Sequence, residues 1–172
     1  MDIRFLPPEL RRIDEASVEL CVCSVWNDER PVLGFAGLID WRLGGRLSTL
    51  LKSGFLTGAL GEVLLVPGKP HVPFEKVLVL GLGPRDSFGE PIFREVILRM
   101  ARALEGLRVR RAVVELPGRA SGAIDPESAI TLTLECVGPS PEHDAWWLVE
   151  RPHEQKRIEA RAADERRRAR AV

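Results

Sequence analysis

The stretch KVLVLGLGPRDSFGE, residues 76 to 90, places Gly81 and Gly83 after an apolar run and ahead of a helix-like segment. That arrangement can seat a phosphate on the free N–H groups of a helix start. A dinucleotide fingerprint needs a third glycine for close packing of helix on strand. Asp86 stands in its place, where its carboxylate would lie close to any bound phosphate. No Gly-Lys-Ser or Gly-Lys-Thr string occurs, so a Walker loop is excluded. Gly81 and Gly83 are therefore expected to make a sharp turn after a buried strand. If a nucleotide did bind, Arg85 and the backbone near Ser87 would hold it, with Gly44 and Gly45 as a second glycine loop.

Other reactive residue types are sparse. His71, His143 and His153 fall in polar, Pro-rich strings and are expected to be exposed. No G-x-S-x-G or H-E-x-x-H string brings a base to a nucleophile, and Ser48 and Ser121 read as ordinary cap or loop serines. Cys21 and Cys23, two apart in an apolar run, would share one face of a strand. No second Cys or His pair stands at zinc-site spacing, so they read as core thiols. Three cysteines, an odd number, fit reduced thiols. The expectation is no catalytic residue, no metal and no cofactor.

The elements that would carry these residues alternate. SVELCVCSVW (17–26) reads as a buried strand closed by the polar NDER. IDWRLGGRLSTLLKSG places Leu43, Leu47, Leu50 and Leu51 at helical spacing, with Asp40 as a possible cap and Gly54 as a stop. Gly44-Gly45 interrupts it, so the regular helix begins after them. GEVLLVPG and KVLVLGLG are strands. Ser87 and Glu90 match a capping box, followed by the apolar stripe Ile92, Phe93, Val96, Ile97, Met100 and Leu104. RRAVVELPG is a strand, DPESAITLTLECVG a helix with Pro126 in its first turn, DAWWLVE a late strand, and the final segment a basic helix. The class expected is a three-layer α/β/α sandwich with a mixed, largely parallel sheet. Ligands in such sheets bind at the carboxyl ends of strands.

The string LIDWRLGGRLSTLLKSGFLTGALGEVLLVPG, followed by VLVLGLGPRDSFG and its long helix, resembles the N-terminal domain of the leucine aminopeptidases, two-metal cytosolic exopeptidases. Asp40, Gly44, Gly45, Gly54, Phe55, Gly58, Gly61, Glu62, Gly81, Leu82 and Gly83 carry the likeness. It implies a macro-domain-like fold, in which ligand loops would fall near Gly44-Gly45 and after Gly83, although the long glycine-rich run after an Asn typical of such loops is missing. In that family catalysis belongs to a C-terminal domain with a signature close to NTDAEGRL, which does not occur here. A chain beginning at Met1 then fits a stand-alone relative that kept the accessory domain. The expected division is residues 1–152 as that domain and 153–172 as a basic helix or tail.

Equal counts of Lys+Arg and Asp+Glu, 25 each, favour neither nucleic acid nor an anionic membrane. No apolar run approaches the roughly 20 residues of a membrane span, and no export signal is seen, so a cytoplasmic location is expected. Nucleic-acid attachment through the tail would be weak, because Arg161 with Glu165 and Asp164 with Arg168 stand at i,i+4 spacing. The best reading is a non-catalytic interaction or regulatory module. Its partner is a second copy or a separate catalytic subunit, and small-ligand binding is the alternative. Adjacent Trp146 and Trp147 would point to opposite faces of a strand. The tail offers only Ile158 and Val172 as large apolar cover, so a partner surface is expected around Trp146, Trp147 and Ile158.

Overall fold

A computed structural model describes residues 1–138 and 140–170. Val172 lies outside them. Six strands form one sheet: β1 (Asp2–Leu6), β2 (Leu20–Val25), β3 (Val63–Pro67), β4 (Lys76–Gly81), β5 (Arg111–Val114) and β6 (Ala145–Val149). Their order is β1-β6-β5-β2-β4-β3. Every pairing is parallel except β3 on β4. The chain leaves β2 towards β4 and later returns to its other side with β5, so the strand order reverses beside β2. A crevice is expected there, outside the carboxyl ends of the strands.

Among the described residues, six helices complete the sandwich: α1 (Leu10–Asp14), α2 (Gly34–Arg42), α3 (Arg46–Ser53), α4 (Glu90–Gly106), α5 (Pro126–Val137) and α6 (Pro152–Arg170). Period-two alternation divides the strand side chains between two cores. Leu20, Val22, Leu78 and Leu80 face Phe93, Ile97 and Met100 of α4, Ile130 of α5 and Ile158 of α6. Cys21, Cys23, Val77 and Val79 face Ile13 of α1, Ile39 of α2 and Leu47 of α3. Both cysteines are thus free core thiols, and burial raises both thiol pKa values. No helix among the described residues is long and apolar enough to cross a membrane.

Several local expectations change. The helix assigned to residues 40–53 is two helices, and Asp40 lies on the first. Its carboxylate reaches across to accept the Leu47 N–H at 2.7 Å and the Ser48 N–H at 3.2 Å, and it also accepts the Ser48 hydroxyl. It therefore caps α3 from the neighbouring helix. The Ser87–Glu90 capping box does not form, because Ser87 ends a single 3₁₀ turn (Arg85–Ser87) and α4 starts from Gly89 without a side-chain cap. His143 is buried rather than exposed, its ring 5.1 Å from that of Trp146, and burial lowers its pKa. In α6, Arg161 pairs with Glu165 at 2.7 Å, but Arg168 also reaches Glu165 and Asp164 pairs with Arg167.

Candidate functional site

The loops leaving β2, β5 and β6 at their carboxyl ends enclose a cleft. Its larger chamber, of about 580 Å³, is lined by Gly34, Phe35, Leu38, Glu115, Arg119 and Glu150 among others. A smaller one of about 210 Å³ lies towards β4, lined by Ser24, Trp26, Leu82, Arg85 and Gly118. Glu115, Gly34, Ala120 and Ser121 border both. Gly34 makes the enclosure possible, since a Cβ built there would lie 2.5 Å from the Ala120 Cβ. Only glycine lets the start of α2 approach the 118–122 loop so closely.

Glu115 sits at the floor, directly after β5 and only 4% exposed. Its Oε2 accepts the Ser24 N–H at 3.3 Å, while Oε1 has no hydrogen-bond partner among the described residues. Burial pushes its pKa up to about 8, with the charges of Glu150 and Glu29 adding to the rise and the Ser24 N–H opposing it. At neutral pH the carboxyl holds its proton and can donate. Beside it, the buried Ser24 hydroxyl oxygen has no partner among the described residues. The start of α2 has no side-chain cap, and Gly37 takes the Leu33 carbonyl. The Gly34, Phe35 and Ala36 N–H groups are thereby left without acceptors, as at any uncapped helix start.

The nearby acceptors are already engaged. Glu150 takes a two-pronged bond from Arg119 at 2.7 and 3.0 Å, both side chains nearly buried. Arg119 also donates to the Ile124 carbonyl at 2.6 Å, which holds the loop after β5. Glu29 pairs with Arg85, whose guanidinium lies 5.5 Å from the Trp26 ring centre. With the Glu150 and Glu29 carboxylates paired, the donors named above are left for a ligand, and such a cleft suits a ligand oxyanion.

The expected ligand residues are distributed differently. Arg85 borders the smaller chamber, but its N–H groups face carboxylates: Asp28 accepts its backbone N–H at 3.1 Å and Glu29 its side chain. Ser87 is exposed, and its N–H bonds the Pro84 carbonyl. Gly83 is a structural turn, donating to the Gly58 carbonyl at 2.8 Å. Gly44 and Gly45 follow the far end of α2, a nine-residue helix that starts at the cleft, which places them roughly 13 Å away along its axis. The signal for the real floor was the acid ending the apolar run RRAVVE.

Of the expected partner surface, Trp146 and Ile158 are taken up internally. Trp146 is 1% exposed and Ile158 0%, both inside the core shared with α4 and α5. Ile158 and Ala162 of α6 complete that core beyond residue 152. Trp147 retains partial exposure, with Arg4 4.9 Å from its ring centre. β6 lies between β1 and β5 and presents no free edge.

Residues 24–137 match the model of the cytosol aminopeptidase family, N-terminal domain. A probable cytosol aminopeptidase of Thioalkalivibrio sulfidiphilus is 36% identical over 121 residues, 68% of this chain and 24% of that protein. The chain spans about a quarter or less of the length of such curated relatives. Among solved structures, a tomato leucine aminopeptidase mutant superposes with a TM-score of 0.60 at 13% identity, over 94% of this chain and 35% of that one. A Trypanosoma brucei macrodomain in complex with ADP-ribose superposes with a TM-score of 0.68 at 16% identity, over 92% of this chain and 67% of that one. These likenesses establish the macrodomain-like fold.

Proposed function

The chain belongs to the cytosol aminopeptidase family through that family's N-terminal domain, and on that premise we propose that it is a non-catalytic regulatory module of the cytoplasm. In this reading its cleft holds a small oxyanion-bearing ligand of the nucleotide or ADP-ribose type. The observation that carries it is the free Oε1 of the buried Glu115, which borders both chambers. A neutral carboxyl and the Gly34 N–H border both chambers, with the Phe35 N–H beside the larger and the Ser24 hydroxyl beside the smaller, an arrangement that favours negative oxygen. The ADP-ribose held by the T. brucei macrodomain supplies the first ligand class to try.

Calorimetry with ADP-ribose, ATP, NAD and inorganic phosphate tests the reading. ADP-ribose is expected to bind with a dissociation constant on the order of micromolar, about −8 kcal/mol, and Glu115→Ala to weaken it at least tenfold. No measurable heat with any of the four would overturn ligand binding. The non-catalytic part rests on what catalysis by two metals requires, a convergent set of carboxylates. No group of three or more His, Cys, Asp or Glu that could hold a metal occurs among the described residues. Leucine p-nitroanilide with Mn²⁺ or Zn²⁺ is expected to show no turnover. Metal-dependent turnover that survives repurification and scales with protein would contradict it.

A further inference from the structure

The two edges of the sheet differ. β1 carries Asp2 and Arg4, paired at 2.8 Å, and charges on an edge strand discourage pairing with another chain. β3 reads VLLVP and carries none. Its antiparallel register on β4, with the Gly81 N–H on the Glu62 carbonyl and the Gly68 N–H on the Glu75 carbonyl, fixes which groups point inward. By the alternation of an antiparallel ladder, Leu64 and Val66 bond β4, while Val63 and Leu65 turn both N–H and C=O outward. Those outward groups have no partner among the described residues. The side chains of Val63 and Leu65 are also 42% and 38% exposed.

We propose that β3 is an association edge whose occupant is β3 of a second copy, running antiparallel about a two-fold axis through Leu64. Val63 then faces Leu65 of the second copy and Leu65 faces its Val63. All four outward N–H groups and their C=O partners are satisfied, which joins two six-stranded sheets into one. The same register brings apolar side chains together on one face, as an isologous contact requires. A formal net charge of zero imposes no long-range repulsion between copies. This goes beyond the ligand reading, since the cleft lies at the strand ends and β3 at the sheet edge.

Light scattering coupled to size exclusion, on the full chain across a concentration series, reads the assembly directly. The wild type is expected to shift towards twice 19.2 kDa as concentration rises. Leu65→Lys, which sets a charge on that edge, should weaken dimerisation at least about tenfold with the circular dichroism spectrum retained. Leu64→Cys, in a chain with Cys136→Ser, should form an intermolecular disulfide on oxidation, because opposed residues of a non-hydrogen-bonded pair have suitably close Cβ atoms. A monomer at every concentration, a dimer unaffected by Leu65→Lys, or failure of the Leu64→Cys chains to cross-link would each overturn the proposal.

Discussion

Gly81→Ala is expected to destabilise the chain by about 3 kcal/mol or more, at the upper end of what overpacking a core does. A Cβ at this position would lie 2.0 Å from the Ala59 carbonyl oxygen. That oxygen belongs to backbone, so no side-chain rotation relieves the clash. The opposing loop cannot retreat cheaply either. The Glu62 carboxylate accepts the N–H groups of Thr57 at 3.0 Å and Gly58 at 2.6 Å, and the Gly58 carbonyl accepts the Gly83 N–H. Gly44→Ala is the contrasting variant: its φ of 65° disfavours a side chain, but nothing lies within 4 Å. Its cost should stay near 1 kcal/mol. Urea unfolding midpoints for the two variants measure the difference. Equal, small losses would show that the 58–60 loop is not clamped against the end of β4.

Glu115 makes the folded state less stable as pH rises. Its carboxyl ordinarily releases its proton near 4.5 and, buried in the fold, holds it to about 8. Between those values the folded chain binds a proton that the unfolded chain does not, so stability falls with pH across this window and levels off above it. The total amounts to a few kcal/mol, on the order of one per pH unit. Glu115→Gln has no proton to lose, so its stability should exceed that of the wild type by a margin that grows from pH 5 to 8. His143, whose pKa burial lowers, opposes the trend below about pH 6.5, but it is common to both chains and cancels in the comparison. Thermal melts of both proteins from pH 5 to 9 give that margin. A constant difference would mean that Glu115 is ionised in the folded protein.

The sandwich was legible because its elements obey simple periods. The stripe from Ile92 to Leu104 became α4, Asp125-Pro126 started α5 with the Asp125 side chain on the Ser128 N–H, and the Val- and Leu-rich runs became strands β2 to β5. Gly81-Leu82-Gly83 was likewise readable as a turn. α2 was missed as a separate helix because Gly34 and Gly37 weaken its pattern, and β1 because its alternation is short and charged. The cleft was harder to foresee. Glycine loops direct attention to Gly44 and Gly83, yet Gly44 follows the wrong end of its helix and the turn at Arg85 is already occupied by Asp28. The floor is set by Glu115 and Ser24, whose meeting depends on the β2–β5 pairing. His143 looked polar and exposed in SPEHDAW; the Arg110–Asp144 ion pair, at 2.7 Å, anchors its turn against β5.

The oxyanion site proposed at the carboxyl ends of β2, β5 and β6 can be located in one measurement. Backbone amide shifts of the ¹⁵N-labelled chain, recorded during titration with ADP-ribose at pH 7, should move most at Gly34, Phe35 and Ala36, at Ser24, and at Ser121, with Gly44 and Gly45 unmoved. Shifts confined to residues 44–45 or 83–87, or a spectrum unchanged at millimolar ADP-ribose, would contradict it.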